Sequence, residues 1–339
     1  MNLVVREADV GDPGEAARVD AFVREQPEST PFHLTGWSRA VATGCRQRAR
    51  YLVAERADRA IVGVLPLTEV RSPLFGRALV SAGFGVGGGV IGDPVEPLAG
   101  AAWALAQRIG IASVELRGGA VPAGWTIDER SYCGFVRPLA ASDEAEMAAI
   151  PRKQRAEVRR AATFGLDVAI GRGLDDHYRV YAESVRNLGT PVFPKALFAA
   201  VLGELDADVL TVAHRGVAVA SVLSLYHRDT VYPYWGGGTA GSRDVRAHER
   251  MYFALMRHAQ ARGCTRFDFG RSKTGTGAAA FKKNFGFDAQ PLVYARRSAG
   301  AAREINPLDP RYAAMIAGWK RLPLWVANRA GPMIARGLG

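Results

Sequence analysis

The chain has 339 residues, of which 48% are hydrophobic and 23% charged. This length and composition are typical of a soluble globular protein of about two domains. The 44 Lys and Arg residues exceed the 33 Asp and Glu residues, which gives a net charge of +11. That excess predicts attraction to RNA, anionic lipid or phosphorylated substrates, unless it reflects only an arginine-rich proteome.

The cysteine content and the apolar segments exclude several classes of protein. Cys45, Cys133 and Cys264 are far apart and odd in number, so neither a disulfide framework nor a zinc site is expected. The acidic start lacks the apolar core of a signal peptide. The longest uncharged run, Ala78–Gly92, is too short and too rich in glycine to span a bilayer. We therefore expect a cytoplasmic protein.

Two stretches of the chain predict the same order of elements. Each begins with two β-branched strands joined by a polar turn, at Tyr51–Val70 and at Val209–Asp229. Each continues with a third strand, a glycine cluster, a helix and a short strand. Because adjacent strands precede each helix, the fold class should be α/β (α+β) with mixed, mostly antiparallel sheets. The duplication predicts domains 1–145 and 146–300, followed by a basic amphipathic tail, 301–339.

The second unit opens with a basic helix at Pro151–Gly165, with proline at the first helical position and glycine at the C-terminal cap. Arg152, Arg155 and Arg159 fall on one face of it. This face suits either a diphosphate or an RNA backbone, although a run of charges is also typical of a solvated surface.

Tryptophans interleave with basic residues in the tail. From Asn306 onward the basic residues are Arg311, Lys320, Arg321, Arg329 and Arg336, with one acidic residue, Asp309. This mixture is typical of helices at a membrane surface. The alternative is that Trp319, Trp325 and Met333 pack against the second domain.

The stretch FDFGRSKTGTGAAAFKKNFGF, Phe267–Phe287, predicts a strand, a glycine-rich turn and a helix with two lysines. It fails as a phosphate-binding loop because Thr276, not lysine, follows the second glycine of the required spacing. Backbone N–H groups at the helix start could still hold an anion. Adjacent lysines diverge by about 100° on a helix, so at most one of Lys282 and Lys283 enters a given site.

Other motifs are weaker. The single match to the acyl-coenzyme A motif, Gln107 to Ala112, falls at the end of a helix, where no N–H groups face a ligand. In VYPYWGGG, Tyr232 and Tyr234 alternate with Trp235, so these aromatic side chains either line a sugar or nucleotide pocket or pack in the core. The histidines form no metal or hydrolase motif.

The predicted layout resembles the GNAT fold, and its duplication resembles the FemAB-like transferases, which carry two tandem GNAT-like domains. Four blocks carry a closer resemblance to the FemAB-like subfamily associated with exosortase/PEP-CTERM loci, which also encode exopolysaccharide synthesis. They are PRKQRAEVRRA, YAESVRNLGTPVFPKALF, FDFGRSKTGTGAAAFKKNFGF and NPLDPRYAAMIAGWKRLPLWVANRAGPMIARGLG.

The resemblance implies an acyl or aminoacyl transferase that forms an amide or ester on an envelope or exopolysaccharide precursor. It implies aminoacyl-tRNA or acyl-coenzyme A as the donor, with no tightly bound cofactor and no metal. The inserted coiled-coil arm of the tRNA-dependent members is absent, so an acyl-coenzyme A-dependent saccharide acyltransferase remains an alternative. A non-enzymatic assembly factor of the PEP-CTERM/exopolysaccharide system, bound peripherally to the inner face of an anionic membrane, is another.

The resemblance also suggests a site in the second domain. Lys283 would stabilise the oxyanion, and either Asp268 or the substrate itself would accept the proton that the amine loses. The acceptor, a phosphorylated or lipid-linked saccharide or peptidoglycan-type precursor, would meet a further set of residues. These are Arg152, Arg155, Tyr232, Tyr234, Trp235, Arg271, Lys273 and Lys282.

Overall fold

The computed structural model describes residues 3–72, 76–300 and 310–339. The elements of the first half, in chain order, are β1 (Leu3–Glu7), α1 (Pro13–Glu25), α2 (Thr35–Cys45), β2 (Arg48–Arg56), β3 (Ile61–Ser72), β4 (Gly76–Ser81), β5 (Ile91–Gly92), α3 (Val95–Arg108), β6 (Ser113–Arg117), β7 (Thr126–Asp128), β8 (Tyr132–Gly134) and β9 (Val136–Pro138).

The rest of the described chain forms α4 (Asp143–Ala149), α5 (Arg152–Ala161), β10 (Leu166–Gly171), α6 (Asp175–Leu188), α7 (Lys195–Glu204), β11 (Ala207–His214), β12 (Val217–His227), β13 (Thr230–Gly238), α8 (Ala247–Ala261), β14 (Arg266–Asp268), β15 (Ser272–Lys273), α9 (Gly277–Asn284), β16 (Gln290–Pro291), β17 (Tyr294–Ser298), α10 (Pro310–Arg321) and α11 (Leu324–Ala335). Within the described ranges, none of these helices has the length and apolar character needed to cross a bilayer.

The described strands confirm the predicted fold class. The first sheet has the order β1-β2-β3-β4-β6-β17-β7, and the second has β10-β11-β12-β13-β14-β9. The pairings between the described strands are antiparallel except for β4 with β6 and β13 with β14. In each half a parallel pair of strands therefore follows a hairpin. A helix connects the two strands of that pair, as the duplicated pattern predicts.

The sheets do not follow the predicted division between residues 145 and 146. Strand β9 of the first half pairs with β14 of the second, and β17 of the second half pairs with β6 of the first. Each half thus completes the other's sheet. The physical reason is that a free sheet edge exposes unpaired N–H and C=O groups, and either half can supply the strand that covers it. Residues 301–309 of the predicted tail lie outside the described part of the chain.

A shared apolar core joins the two halves. Trp37 on α2 is fully buried and lies against Tyr234 and Trp235 of β13, at ring-centroid distances of 5.5 and 5.9 Å. Helices α2 and α7 cross closely because Gly44 has no side chain. A Cβ atom at that position would lie 2.7 Å from the backbone nitrogen of Leu197. The two halves are therefore packed as one unit.

Candidate functional site

The candidate site is built around the loop that leaves β14. Asp268 ends that strand, and its Oδ1 accepts a hydrogen bond of 2.8 Å from the backbone nitrogen of Gly270. Lys282, on α9, extends back to the same loop. Its Nζ donates to the carbonyl oxygens of Gly270 and Arg271 at 3.1 and 3.0 Å. The turn after the strand is therefore bound by both a carboxylate and an ammonium group.

Burial shifts both of these groups toward neutral pH. It raises the pKa of Asp268 to about 6, and the Gly270 N–H and the Lys282 charge only partly offset this effect. Burial also lowers the pKa of Lys282 to about 8, against the opposing influence of Asp268. The Lys282 ammonium lies 5.3 Å from the Phe135 ring centroid and 5.6 Å from that of Phe269. Such a pair is suited to proton transfer near neutral pH.

The two neighbouring lysines occupy different environments. Lys283, the residue preferred from the resemblance, is exposed at the end of α9, whereas Lys282 is half-buried and hydrogen-bonded to the loop. Thr276 caps this helix, because its Oγ1 accepts from the backbone nitrogen of Ala279 at 3.4 Å and donates to the carbonyl oxygen of Lys273 at 2.8 Å. The Thr276 side chain thus occupies part of the N-terminus of α9, where an anion was expected to bind. Lys273 itself is half-buried on β15.

A cavity of about 260 Å³ adjoins the loop. Strands of both halves line it, because β6 and the exchanged β17 form one wall and the segment around β8 forms another. Its polar lining contains three arginines, two acids and two tyrosines: Arg117, Arg271, Arg296, Glu115, Asp128, Tyr132 and Tyr294. The Arg271 carbonyl accepts from Lys282 while the Arg271 side chain lines the cavity. Lys282 and the cavity are therefore connected through one residue.

Two tyrosines orient Arg271 in the cavity. Its Nη1 donates to the hydroxyl oxygen of Tyr294 at 2.7 Å, and its guanidinium carbon lies 4.6 Å from the ring centroid of Tyr132. Stacking and hydrogen bonding together hold a planar guanidinium in one orientation. An oriented arginine of this kind is suited to bind a carboxylate or phosphate group.

A second pair of arginines shares one carboxylate. Glu115 accepts from Arg117 Nε at 2.8 Å and from Arg296 Nη2 at 2.7 Å. Burial works against the charge on Glu115, but the two arginines outweigh it and lower its pKa to about 2. With Asp128 as the other acid, the side chains of the lining comprise three arginines and two carboxylates.

The end of the described chain also enters the cavity. Leu338 and Gly339 line it, and the carbonyl oxygen of Gly339 accepts from Arg117 Nη2 at 2.9 Å. The side chain of Gln47 donates to the carbonyl oxygen of Arg336 at 2.6 Å. A Cβ atom at Gly337 would lie 2.6 Å from the Ser72 hydroxyl, so this segment fits only with glycine there. The tail after α11 is thus specifically seated beside the cavity.

The aromatic residues of β13 are packed in the core rather than lining the cavity. Tyr232 and Trp235 are buried, and Trp235 lies 4.6 Å from Phe198 between ring centroids. Tyr234 occupies an irregularity in the pairing with β12, and its hydroxyl donates to the carbonyl oxygen of Phe84. All three belong to the shared core because β13 is central in its sheet. Of the two interpretations of these residues, the structure supports packing.

The basic helix α5 also lies apart from the cavity lining. Arg152 is exposed. The guanidinium of Arg155 donates to the carbonyl oxygens of Ala148 and Ile150, both at 3.2 Å, where α4 ends. The buried face of α5 contacts α8, where Gln154 donates to Glu249 at 3.3 Å. This arrangement corresponds to the solvated-face interpretation of the arginine run.

The glycines Gly236–Gly238 lie within β13 and not in a turn. A Cβ atom at Gly237 would lie 2.6 Å from that of Ser184 on α6, and one at Gly238 would lie 2.8 Å from that of Ser242. These residues are therefore glycine because neighbouring elements approach the strand closely.

Sequence reasoning missed most of the cavity lining. Glu115 and Arg117 alternate along β6, and Tyr294 and Arg296 alternate along β17. Alternation places each pair on one face of its strand, which is a signal that the sequence contains. The two faces meet only because β17 pairs with β6 of the other half, and no local sequence pattern predicts that pairing.

The comparisons with known proteins agree with this architecture. Residues 150–283 match the family model described as the acetyltransferase (GNAT) domain. No curated protein sequence shows significant similarity to the chain. Among solved structures, the chain is similar to FemX, with 15% sequence identity, a TM-score of 0.63, and coverage of 89% of this chain and 98% of that one.

Two further solved structures have a similar fold. One is a tandem GNAT protein from the clavulanic acid biosynthesis pathway, with 13% identity, a TM-score of 0.57, and coverage of 89% of this chain and 100% of that one. The other is the C-terminal domain of a putative lysylphosphatidylglycerol synthetase from Agrobacterium fabrum, with 14% identity, a TM-score of 0.57 and coverage of 89% and 95%. The chain is therefore similar to the acetyltransferase (GNAT) domain over residues 150–283, and its fold is similar to those of FemX and of a tandem GNAT protein.

Proposed function

We propose that the protein is an acyl or aminoacyl transferase in which Lys282 and Asp268 act at the reacting centre. The observation that carries this proposal is that Lys282 and Asp268 bond to the same loop residue, Gly270, beside an arginine-lined cavity. Their pKa values approach neutrality from opposite sides. The match of residues 150–283 to the acetyltransferase (GNAT) domain supports it.

The reaction needs a positive charge near the carbonyl oxygen that becomes negative. An ammonium group has three donors, and the carbonyls of Gly270 and Arg271 take two of those of Lys282. The third donor and the charge of Lys282 would stabilise the tetrahedral oxyanion. We therefore prefer Lys282 to the exposed Lys283 for this role.

The acceptor amine would attack the carbonyl carbon of the donor. A C–N bond forms, and the C–O bond of an aminoacyl ester or the C–S bond of an acyl thioester breaks. Asp268, as a carboxylate, would take the proton that the attacking amine loses, and the leaving oxygen or sulfur departs with the bonding electrons. With a hydroxyl acceptor the same steps form an ester.

The acceptor class follows from the charge of the cavity. Arg117, Arg271 and Arg296 favour an acceptor with a phosphate or carboxylate group. The resemblance to the PEP-CTERM-associated FemAB-like subfamily supports an envelope or exopolysaccharide precursor. We propose a phosphorylated saccharide or peptidoglycan-type molecule of this kind.

The donor is tested by titrating the purified protein with acyl-coenzyme A and, separately, with charged and uncharged tRNA, at low and physiological salt. Saturable binding of charged over uncharged tRNA that persists at physiological salt would support aminoacyl transfer. Saturable acyl-coenzyme A binding would instead support an acyl thioester donor.

Single-turnover transfer with the donor that binds then tests the site. Lys282→Met should slow the chemical step by about 100-fold, typical for loss of one oxyanion donor, while Lys283→Met should keep the wild-type rate. Equal rates for both variants, or binding of neither donor, would contradict the proposal.

A further inference from the structure

One face of α11 remains uncovered and combines large apolar side chains with a positive charge. Trp325 is 72% exposed and Met333 is 66% exposed. Arg329 lies between them and is also exposed. The spacing of four residues places all three on one side of the helix. Of the three residues that the alternative interpretation placed against the second domain, Trp325 and Met333 are exposed instead, whereas Trp319 is half-buried.

The opposite face of this helical pair is already occupied. Gly331 packs tightly, because a Cβ atom there would lie 3.0 Å from the backbone nitrogen of Val192. The carbonyl oxygen of Lys320 accepts from Arg186 of α6 at 3.2 Å. The inner face of α10–α11 is thus attached to the body, and the Trp325–Arg329–Met333 stripe cannot turn inward without breaking these contacts.

The charged residues around the Trp325–Arg329–Met333 stripe are all basic. Residues 310–339 contain five Lys and Arg residues and no Asp or Glu. Arg321 precedes α11 and is exposed, and Met315 on α10 is 62% exposed. A helix face that combines tryptophan and methionine with arginine, in the absence of acidic residues, has the composition that binds the headgroup region of an anionic bilayer.

We propose that α10–α11 docks the protein on an anionic lipid surface, with Trp325 and Met333 entering the headgroup region and Arg321 and Arg329 facing lipid phosphates. Leu338 and Gly339, which line the cavity, follow Met333 by only five and six residues. Even a fully extended chain of five or six residues spans at most about 17 to 22 Å. Docking would therefore hold the cavity close to the lipid surface. This proposal does not depend on the identity of donor or acceptor.

Co-sedimentation with vesicles tests the proposal, using phosphatidylcholine alone and phosphatidylcholine mixed with phosphatidylglycerol at physiological salt. We expect binding to the mixed vesicles and at least about tenfold weaker binding to the neutral ones, since each basic residue near the surface contributes appreciably. Equal binding to both, or binding to neither, would overturn the proposal.

Paired variants locate the contact. Trp325→Ser with Met333→Ser, and separately Arg321→Glu with Arg329→Glu, should each weaken binding by at least about tenfold. The matched control replaces two exposed apolar residues of the second sheet, Ile170→Ser with Val217→Ser, and should bind as wild type. All six substitutions are at exposed positions, so thermal unfolding should confirm that the variants fold.

Two further measurements separate lipid docking from the catalytic role of Lys282 and from general binding of polyanions. Lys282→Met should bind vesicles as wild type, so that failed chemistry and failed docking remain distinguishable. Competition by RNA tests the other polyanion that the net charge could attract. If RNA displaces the vesicles completely and its own binding is unaffected by loss of Trp325 and Met333, the surface is a general polyanion site and the lipid proposal is overturned.

Discussion

Arg271 and Tyr294 connect the loop after β14 to a strand that completes the other half's sheet. Arg271 Nη1 donates to the Tyr294 hydroxyl at 2.7 Å, and Tyr294 pairs with Arg117 across β17 and β6. The loop that holds Asp268 and Lys282 is therefore positioned by both halves of the molecule. A site on either half alone would lack one wall of the cavity.

This contact predicts an effect on acceptor binding. Tyr294→Phe removes the hydrogen bond but keeps the ring, so Arg271 should lose its fixed orientation. We expect the acceptor KM to rise about tenfold, since a hydrogen bond to a charged group contributes about 1.5–3 kcal/mol, with little change in kcat. In a double-mutant cycle, adding Tyr294→Phe to the Arg271→Ala variant should change the acceptor KM little. Additive effects would show that the two residues act independently.

The lysine–aspartate pair predicts a bell-shaped pH profile for kcat. Asp268 accepts a proton only when ionised, so activity should rise through about pH 6. Lys282 supplies its charge only when protonated, so activity should fall above about pH 8. Asp268→Asn should remove the acidic limb and Lys282→Met the basic limb, both at reduced rates, whereas Lys283→Met should retain both limbs. A profile that is flat from pH 5 to 9 in the wild-type protein would contradict these roles.

The close crossing of α2 and α7 predicts opposite effects for two Gly→Ala substitutions within helices. At Gly44 a new Cβ would overlap Leu197, so stability should fall by about 1–3 kcal/mol, as is typical of overpacking. At Gly100 on α3 a Cβ meets no described atom within 4 Å, so stability should rise by up to about 1 kcal/mol from helix propensity. Urea unfolding measures both values. If Gly44→Ala were as stable as Gly100→Ala, the halves would not be packed as described.

Buried histidines predict a loss of stability in mild acid. Burial lowers the pKa of His33, His177, His227 and His248 to about 4. Between pH 4 and about 6.5 the unfolded chain therefore binds more protons at these residues than the folded protein does, and stability falls as pH decreases. Asp268 acts in the opposite sense, because its raised pKa lets the folded state take up a proton first. Four histidines outweigh one aspartate.

A single substitution checks this assignment. His177 is buried, with Nδ1 3.0 Å from the Ser221 hydroxyl and with Nε2 lacking a hydrogen-bond partner among the described residues. His177→Gln should reduce the slope of unfolding free energy against pH by up to about 1.4 kcal/mol per pH unit, the value for one proton. An unchanged slope between pH 4.5 and 6 would show that His177 does not contribute.

The sequence by itself determined the elements and their duplication. The local sequence contains the alternation of strands, the periodicity of helices and the glycine and proline residues that end them. The repeated order of hairpin, strand, helix and strand was therefore predictable. The α+β fold class is confirmed. The resemblance pointed to the block around Lys282 and Lys283, and the structure places Lys282 and Asp268 at the same loop, each hydrogen-bonded to Gly270. Their catalytic role stays a prediction.

The tertiary structure alone decided which residues surround that loop. Two adjacent lysines differ by about 100° around a helix, so only packing distinguishes Lys282 from Lys283. Strand β17 completes the first sheet because pairing of a sheet edge is non-local, and this brings Tyr294 and Arg296 to Arg117. Tyr232 and Trp235 became core residues, and Trp325 remained exposed, for the same reason. Burial depends on what the rest of the chain covers, and a local sequence pattern does not encode that.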